Sequence, residues 1–550
     1  MSDKKLTMHK NVKLLKSLPM VFYAITIIIN IHILNSQEYY PLNQEIHLRI
    51  DRELSLNKST VHTSFRPLLS DKTAKIFHYD SLLIPNAKPV VENRSWTARK
   101  LLSQNFIIID SNNFKIYIDP IFEFNLGKEN NDNLFINSRG ININAKIYKN
   151  LWIYSGFIET QARYPSYVTS FIQKYGVAPG QDIVKDFKEN AYDYTIAYGS
   201  VSYSPFKFLN IQTGQGKHFI GDGYRSLFLS DNSFQYPYLK FTANYENFQY
   251  VSMATLMQNI STKNIVWARR PWESPFIKKP VSFNYLTYNL KYKLQLGLFE
   301  GIVYKSPPDK VLSLKYFNPI ILTRSIKYTL DGENNTVIGL NIKYQPFNKI
   351  TLYGQLVIDD IKISRIGKGD SKNRTGFQAG LKIFDPFKIK NLIILEEFNQ
   401  VRPYTYTHEF SRQTYTAYNQ AIAHPLGANF NEYISIIDYR YKRWHANFKM
   451  IFANYGEDNP NQDWGQNIFK SDYYIHIEDP STGIYTGQGK YTGIYYYSLK
   501  ASYVLNPKTN LNISCGYNSR TKKYLYENNE ISSYYFISIS TNLFNQYLDF

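Results

Sequence analysis

Between Gly214 and Lys240 the chain reads GQGKHFIGDGYRSLFLSDNSFQYPYLK. Gly214, Gly216, Gly221 and Gly223 are mixed there with groups that donate, accept or carry charge: His218, Asp222, Arg225, Ser230, Asp231 and Asn232. A phosphate loop needs GxxxxGK followed by Ser or Thr, because backbone amides cradle the phosphate and the hydroxyl holds magnesium. Here His218 follows Gly216-Lys217, and Ile211 stands where the first glycine belongs. A dinucleotide turn needs GxGxxG, and Ser226 occupies the third glycine position after Gly221 and Gly223. A second GQGK, Gly487 to Lys490, fails in the same way. A hydrolase elbow needs GxSxG, but Tyr224 and Phe228 flank Ser226. Two readings are left: a loop folded into a pore with its charges paired on the walls, or a ligand-binding loop.

A second concentration runs from Val401 to Phe430, VRPYTYTHEFSRQTYTAYNQAIAHPLGANF. His408, Glu409, His424 and the later Asp438 are metal-ligating types. The zinc-protease helix needs HExxH, however, and Arg412 stands where the second histidine belongs. The histidines and tyrosines are expected to order a long loop, with no metal or cofactor. Tyr404, Tyr406, Tyr415 and Tyr418, with Asn419, Gln420 and Asn429, have the chemistry of a sugar-binding surface: rings stack on sugar faces and amides bond hydroxyls. Arg269-Arg270-Pro271-Trp272 is either an anion contact or a solvated loop face. The candidate ligand or lumen residues are therefore His218, Asp222, Arg225, Ser230, Asp231, Asn232, His408, Tyr418, Asn419, Gln420, His424 and Asn429, and none is read as catalytic.

The elements that must carry these residues show period-two alternation from about residue 111 to the end. Ile338, Leu340, Ile342 and Tyr344 share one face, while Gly339, Asn341, Lys343 and Gln345 share the other. After Pro346-Phe347-Asn348 the pattern resumes, with Ile350, Leu352, Leu356 and Ile358 opposite Thr351, Tyr353, Gln355 and Asp359. A one-sided apolar face on long antiparallel strands fits lipid outside and water inside. Reversals recur at Ser204-Pro205-Phe206-Lys207, Asp385-Pro386-Phe387-Lys388 and Asn506-Pro507-Lys508-Thr509, where proline presets φ. Others fall near Lys149, Glu246, Tyr292 and Arg443. Longer polar segments lie between them, at 164 to 191, 258 to 280, 399 to 430 and 455 to 492. Eight tight turns, with one strand before them near 114 to 127 and one after them near 532 to 544, give about 18 strands. The chain is read as all-β, a transmembrane antiparallel β-barrel over 111–550. The ending YYFISISTNLFNQYLDF reads as an amphipathic closing strand that terminates on the aromatic Phe550.

Composition agrees. The chain has 550 residues, with 49 Tyr and 35 Phe against 6 Trp. Such tyrosine content suits half-buried strands and interfacial girdles. The net charge of +19 is spread along strands and turns without a dense run, which argues against nucleic acid and suits anionic polysaccharide or lipid headgroups. A lysine-rich start followed by the apolar run Leu18 to Leu34 reads as a signal peptide, 1–36, ending at Ser36-Gln37. Residues 37–110 are read as a periplasmic or plug segment with one helix, Ser95 to Gln104. The single cysteine, Cys515, excludes an intramolecular disulfide, so stability must come from a closed fold.

The run GQGKHFIGDGYRSLFLSDNSFQYPYLK, with YNQAIAHPLGANF and TNLFNQYLDF, resembles the Wzi-like capsule-assembly family, and within it the Bacteroidetes branch of RemB-like gliding-motility proteins. The resemblance covers roughly 105 to 550. It implies an 18-stranded outer-membrane barrel with a helical periplasmic part. It also implies a non-enzymatic role in surface polysaccharide attachment or assembly and in gliding or adhesion. The implied partners are outer-membrane lipid, surface polysaccharide, and gliding or secretion components. The loops depart from the family pattern, so no capsule-binding residue carries over. Two alternatives stay open. A porin-like uptake channel would need an open lumen. A membrane-embedded enzyme would need Asp222, Ser226 and Asp231 to converge.

Overall fold

The computed structural model describes residues 39–70, 73–85, 95–260, 276–305, 319–322, 334–459, 462–472, 482–541 and 544–550. The signal-peptide reading of 1–36, Arg269 to Trp272, and Leu543 lie outside the described residues.

Eighteen long antiparallel strands form a closed barrel. In chain order they begin β1 (Phe114–Glu129), β2 (Asp132–Ile147), β3 (Leu151–Arg163), β4 (Ala191–Phe206), β5 (Leu209–Gly216) and β6 (Tyr236–Tyr245). They continue β7 (Phe248–Ile260), β8 (Phe276–Leu290), β9 (Leu294–Val303), β10 (Asn335–Phe347), β11 (Ile350–Asp360) and β12 (Arg374–Phe384). The circuit is completed by β13 (Leu392–Val401), β14 (Phe430–Tyr441), β15 (Trp444–Glu457), β16 (Lys490–Asn506), β17 (Leu511–Tyr524) and β18 (Glu530–Thr541). Each strand pairs with its sequence neighbour, and β18 closes on β1 from Tyr534↔Glu129 to Ser540↔Glu123.

The alternation read from the sequence sorts the two faces of the wall. On β10, Leu340, Ile342 and Tyr344 are 53%, 46% and 43% exposed, while Asn341 and Gln345 between them are buried. The same apolar exposure recurs at Phe124, Leu126, Leu352, Leu356, Leu499 and Ile537. So much apolar surface facing outward, over a lumen of buried amides, charges and hydroxyls, is stable only with lipid around it. Among the described residues no helix is long and apolar enough to cross a membrane; the crossing is made by strands whose backbone groups pair around a closed circuit. The chain is an outer-membrane β-barrel.

The eight tight turns fall where the sequence placed them and define the periplasmic end. The prolines, however, are not all in the turns. Pro205 and Pro346 lie in the strands, where the register shifts between Tyr203 and Phe206 and between Tyr344 and Phe347. A bulge leaves a position without a ladder donor, which is where a strand tolerates proline. The reversals themselves use positive φ at Tyr148, Glu246, Lys291 and Lys442.

The described part of the segment before the barrel, 39–85, enters the lumen from this end. Helix α1 (Gln44–Leu56) starts at Asn43, whose side chain accepts the Ile46 N–H. Its Ile46, Ile50 and Leu54 pack with Leu82 and Leu83 of α2 (Tyr79–Leu83). The charges of α1 meet the wall. Arg49 pairs with Asp438, Arg52 with Asp385 at 2.8 Å, and Asp51 with Lys382 at 2.6 Å. Glu45 faces Lys500 and Arg440. The helix expected at Ser95 to Gln104 is α3 (Trp96–Leu102), capped by Ser95. A fourth helix, α4 (Ser166–Tyr175), lies in the outer connection between β3 and β4.

The C-terminal reading needs correction. β18 ends at Thr541, and Phe544–Phe550 leave the wall and run through the lumen instead of extending the strand to an aromatic end. Below β18, a short strand, Ile107–Asp110, takes its place against β1 at Lys115 to Ile118. Pro120 sits between the two pairings, where no ladder N–H is needed. The Phe122 N–H just beyond it is bonded by Thr541 Oγ1 at 3.1 Å.

Candidate functional site

The Gly214 to Lys240 run divides into the end of β5, an inward loop and the start of β6. Within the loop, glycine is required at two places. Gly221 has φ +147°, a conformation side chains avoid, and at Gly223 a Cβ would lie 2.4 Å from Glu397 Oε2. That carboxylate needs the approach: it accepts the N–H groups of Tyr224 at 2.7 Å and Arg225 at 3.0 Å.

The six candidates of this run are all buried, but they do not form one site. Asp222 accepts from Thr63 at 2.8 Å, Ser64 at 2.7 Å and Asn341 at 3.0 Å, with Lys343 Nζ at 3.8 Å. It ties the plug segment to β10. Burial would raise its carboxyl, but Lys343 and Lys382, helped by the Ser64 and Asn341 hydrogen bonds, outweigh it and bring it down to about 2. Arg225 lies between Glu432 at 3.4 Å and Asp549 at 3.1 Å. His218 is surrounded by Phe65, Tyr236 and Tyr238, and burial holds its ring well below the usual histidine range. Asp231 accepts from Asn545 at 2.7 Å and Tyr547 at 2.8 Å. The hydroxyl of Ser230 accepts the Asn232 N–H at 3.2 Å, closing a local turn.

Ser226 donates to the Ile220 carbonyl at 2.5 Å. Asp222, Ser226 and Asp231 form no hydrogen bond with one another; Asp222 is linked to Ser226 through Asn341, Gln355 and the Ile220 carbonyl. The convergence that an enzyme at this place would need is not present.

The second constellation, in the 402–429 connection, folds inward over the first. Here the sequence reading is overturned in part. Tyr404, Tyr406 and Tyr415 are at most 2% exposed and offer no ring face to a sugar. Their hydroxyls donate to the carbonyls of Asp463, Leu227 and Phe228, each at 2.7 Å. Asn429 donates to the carbonyls of Gly456, Trp464 and Gln488 and accepts the Gly487 N–H, so it joins its own connection to the end of β15 and to the 458–489 connection. Gln420 and Asn419 bond backbone at Gly180 and Tyr175. Tyr418 lies against Phe234 with its ring tilted, centroids 4.6 Å apart. The two histidines separate. His424 bonds Glu432 at 2.7 Å, while the His408 ring accepts the Phe410 N–H at the outer rim. The two constellations therefore meet at Glu432, which His424 and Arg225 share.

The open part of the lumen lies elsewhere, against β1–β5 and β16–β18. It is a cavity of about 780 Å³, within the size range of small-ligand sites. Its lining runs along β1 from Tyr117 to Gly127, and from Lys508 at the periplasmic end to Arg163 and Gln181 at the outer end. Rings and amides alternate on its wall, among them Tyr117, Tyr154, Tyr198, Asn125, Asn142 and Gln212. Tyr154 stacks on Trp152 at 5.4 Å with planes 9° apart. Of the sequence candidates, only His218 and Asp231 reach this cavity. The rest of its lining was missed, because strand tyrosines spread over 400 residues form no local motif.

Also missed was the segment after β18, which lies in this cavity. Asn545 Oδ1 accepts the Gln44 N–H at 2.8 Å, which anchors it to α1. Asp549 pairs with Arg225 and, at 2.6 Å, with Lys449; Tyr224 O–H donates to it at 2.5 Å. The Leu548 carbonyl accepts Tyr167 O–H from α4, and the Phe550 ring lies 4.8 Å from Phe171.

No protein-family model and no curated protein matches the chain. Solved structures do. Wzi of Escherichia coli, described as an outer-membrane protein involved in group 1 capsule assembly and as a carbohydrate-binding β-barrel, aligns with a TM-score of 0.53 at 12% identity, over 91% of this chain and 99% of Wzi. OccAB2 of Acinetobacter baumannii aligns at 0.42 and 11% identity, over 78% of this chain and 97% of its own. OprD of Pseudomonas aeruginosa aligns at 0.40 and 9% identity, over 80% and 97%. The likeness to Wzi is one of fold.

Proposed function

We propose that this chain is a non-enzymatic outer-membrane barrel that binds surface polysaccharide, capsule or exopolysaccharide, and serves its attachment or assembly. The observation that carries this reading is the cavity against β1–β5, where tyrosine faces and amides line an open space inside the lumen. Rings that stack and amides that bond hydroxyls suit neutral sugar units. The Wzi-like fold and the sequence resemblance support the same reading. A role in gliding or adhesion, with motility or secretion components as partners, is the finer part of the proposal and rests on the sequence resemblance.

A glycan array probed with detergent-purified protein tests it. Binding to a defined set of glycans is expected, weakened about tenfold or more by Tyr154→Ala. A folded barrel that retains no glycan would remove the proposal. The porin-like alternative is disfavoured by the filling of the lumen with α1, the 217–235 loop and the 402–429 connection.

A further inference from the structure

Lys240, the last residue of the Gly214 to Lys240 run, turns from β6 into the lumen with 1% of its surface exposed. Its ammonium lies over two rings of the plug segment, Tyr39 at 4.6 Å and Phe65 at 5.4 Å. Among the described residues it meets no carboxylate and no hydrogen-bonding oxygen. Its ladder neighbours do not answer it: Gln212 on β5 turns its amide to Ser200 at 3.2 Å, and Met253 on β7 is apolar. Other lumen lysines differ. Lys279 donates to the Thr414 and Thr416 carbonyls, while Lys382 pairs with Asp51 and Lys449 with Asp549, both at 2.6 Å. A buried ammonium without an acceptor is costly, and ring faces offset only part of that cost.

Beside Lys240 is a second cavity, of about 30 Å³, at the seam between plug and wall. The plug lines it with Tyr39, His62 and Phe65, and the wall with Lys240, Thr242 and Gln249. This is room for water or one small ion, and too little for a phosphate or a sugar. Thr242 brings a hydroxyl. Gln249 brings a second amide N–H beyond the one it gives to Asn244 at 2.8 Å. A cation and donor groups, with no acidic side chain in the lining, select for negative charge.

We propose that this cavity is a binding site for one small monovalent anion, chloride or another halide, held by Lys240. The anion neutralises the buried ammonium and joins the plug to β6 and β7.

Two measurements on the full barrel test this, each on protein first shown to be folded by its heat-dependent gel shift. Crystals grown in sodium bromide are expected to show one anomalous peak beside Lys240 Nζ. The peak should be absent in Lys240→Met, which keeps the apolar stem and drops the charge. In solution, proteolysis of the 39–85 plug is compared in sodium chloride and in sodium gluconate at equal ionic strength, gluconate being too large for the cavity. With chloride at about ten times its Kd, cleavage of the natural chain is expected to be roughly tenfold slower, and the difference to vanish in Lys240→Met. Water alone beside Lys240 in the natural chain would overturn the proposal. So would cleavage that is the same in both salts, or an equal chloride response in Lys240→Met. Should crystals not form, the proteolysis decides. No glycan is present in either measurement, so the result is independent of polysaccharide binding.

Discussion

At the scale of single residues, the lumen is a set of buried charges that are each answered. Arg225 is the sharpest case, with Glu432 and Asp549 on either side and 2% of its surface exposed. Removing it leaves Glu432 only His424, and Asp549 only Lys449, as a basic partner among the described residues, so Arg225→Ala is expected to destabilise the barrel by about 3 kcal/mol. Urea unfolding of the detergent-solubilised protein would show this as a lower midpoint at unchanged slope. Gly223→Ala forces a methyl against Glu397 and is expected to cost roughly 1–3 kcal/mol by the same assay. Asp222 gives the acid limb. Its folded carboxyl titrates at about 2, while an unfolded aspartate titrates near ~3.9. The unfolded chain takes the proton first, so this stabilisation is whole above about pH 4 and drains as pH falls toward 2. Asp222→Asn should flatten that part of the pH–stability curve; an unchanged acid limb would show that Asp222 does not couple the plug to β10. The residue types in the Gly214 to Lys240 run were legible as polar groups that either fill a pore or bind a ligand. Their partners were not, since Glu397, Glu432 and Asp549 come from strands and a segment hundreds of residues away.

At the scale of elements, α1 is an ion-paired plug. Arg49 and Arg52 hold it to Asp438 and Asp385. Arg49→Ala with Arg52→Ala should loosen the helix without opening the wall. Limited proteolysis is expected to cut 39–85 in the double variant while the barrel keeps its gel shift; equal resistance to the natural chain would contradict the plug assignment. This helix was not legible, although Asn43 as its cap and Ile46, Ile50 and Leu54 at i, i+4 spacing were in the sequence. Its charges on the remaining faces blur the apolar stripe, because the surroundings are a polar lumen rather than a hydrophobic core. Strands and turns were legible for the opposite reason. Lipid on one side and water on the other impose a clean period of two, and bulge prolines mark the turn-proximal ends. The segment after β18 misled, since its apolar and aromatic residues continue the strand pattern past Thr541 while the chain turns inward to meet Arg225, Lys449 and α4.

At the scale of the whole molecule, the outer face is fixed by the membrane and the inner face by the plug. Leu340→Arg places a charge in lipid and is expected to cost about 2–4 kcal/mol near mid-bilayer. At Thr336, near the outer end of the same strand and face, the same change should cost about 1 kcal/mol or less. Refolding into lipid vesicles measures both, and equal costs would contradict the orientation of the wall. The polysaccharide proposal depends on a closed, membrane-embedded barrel of eighteen strands. The most direct measurement is the migration of the membrane-extracted protein on a denaturing gel, unboiled against boiled. The account predicts a compact, faster-running form that converts to the full-length position on boiling, in protein recovered from the outer membrane. Identical migration, with the protein in the soluble fraction, would contradict it.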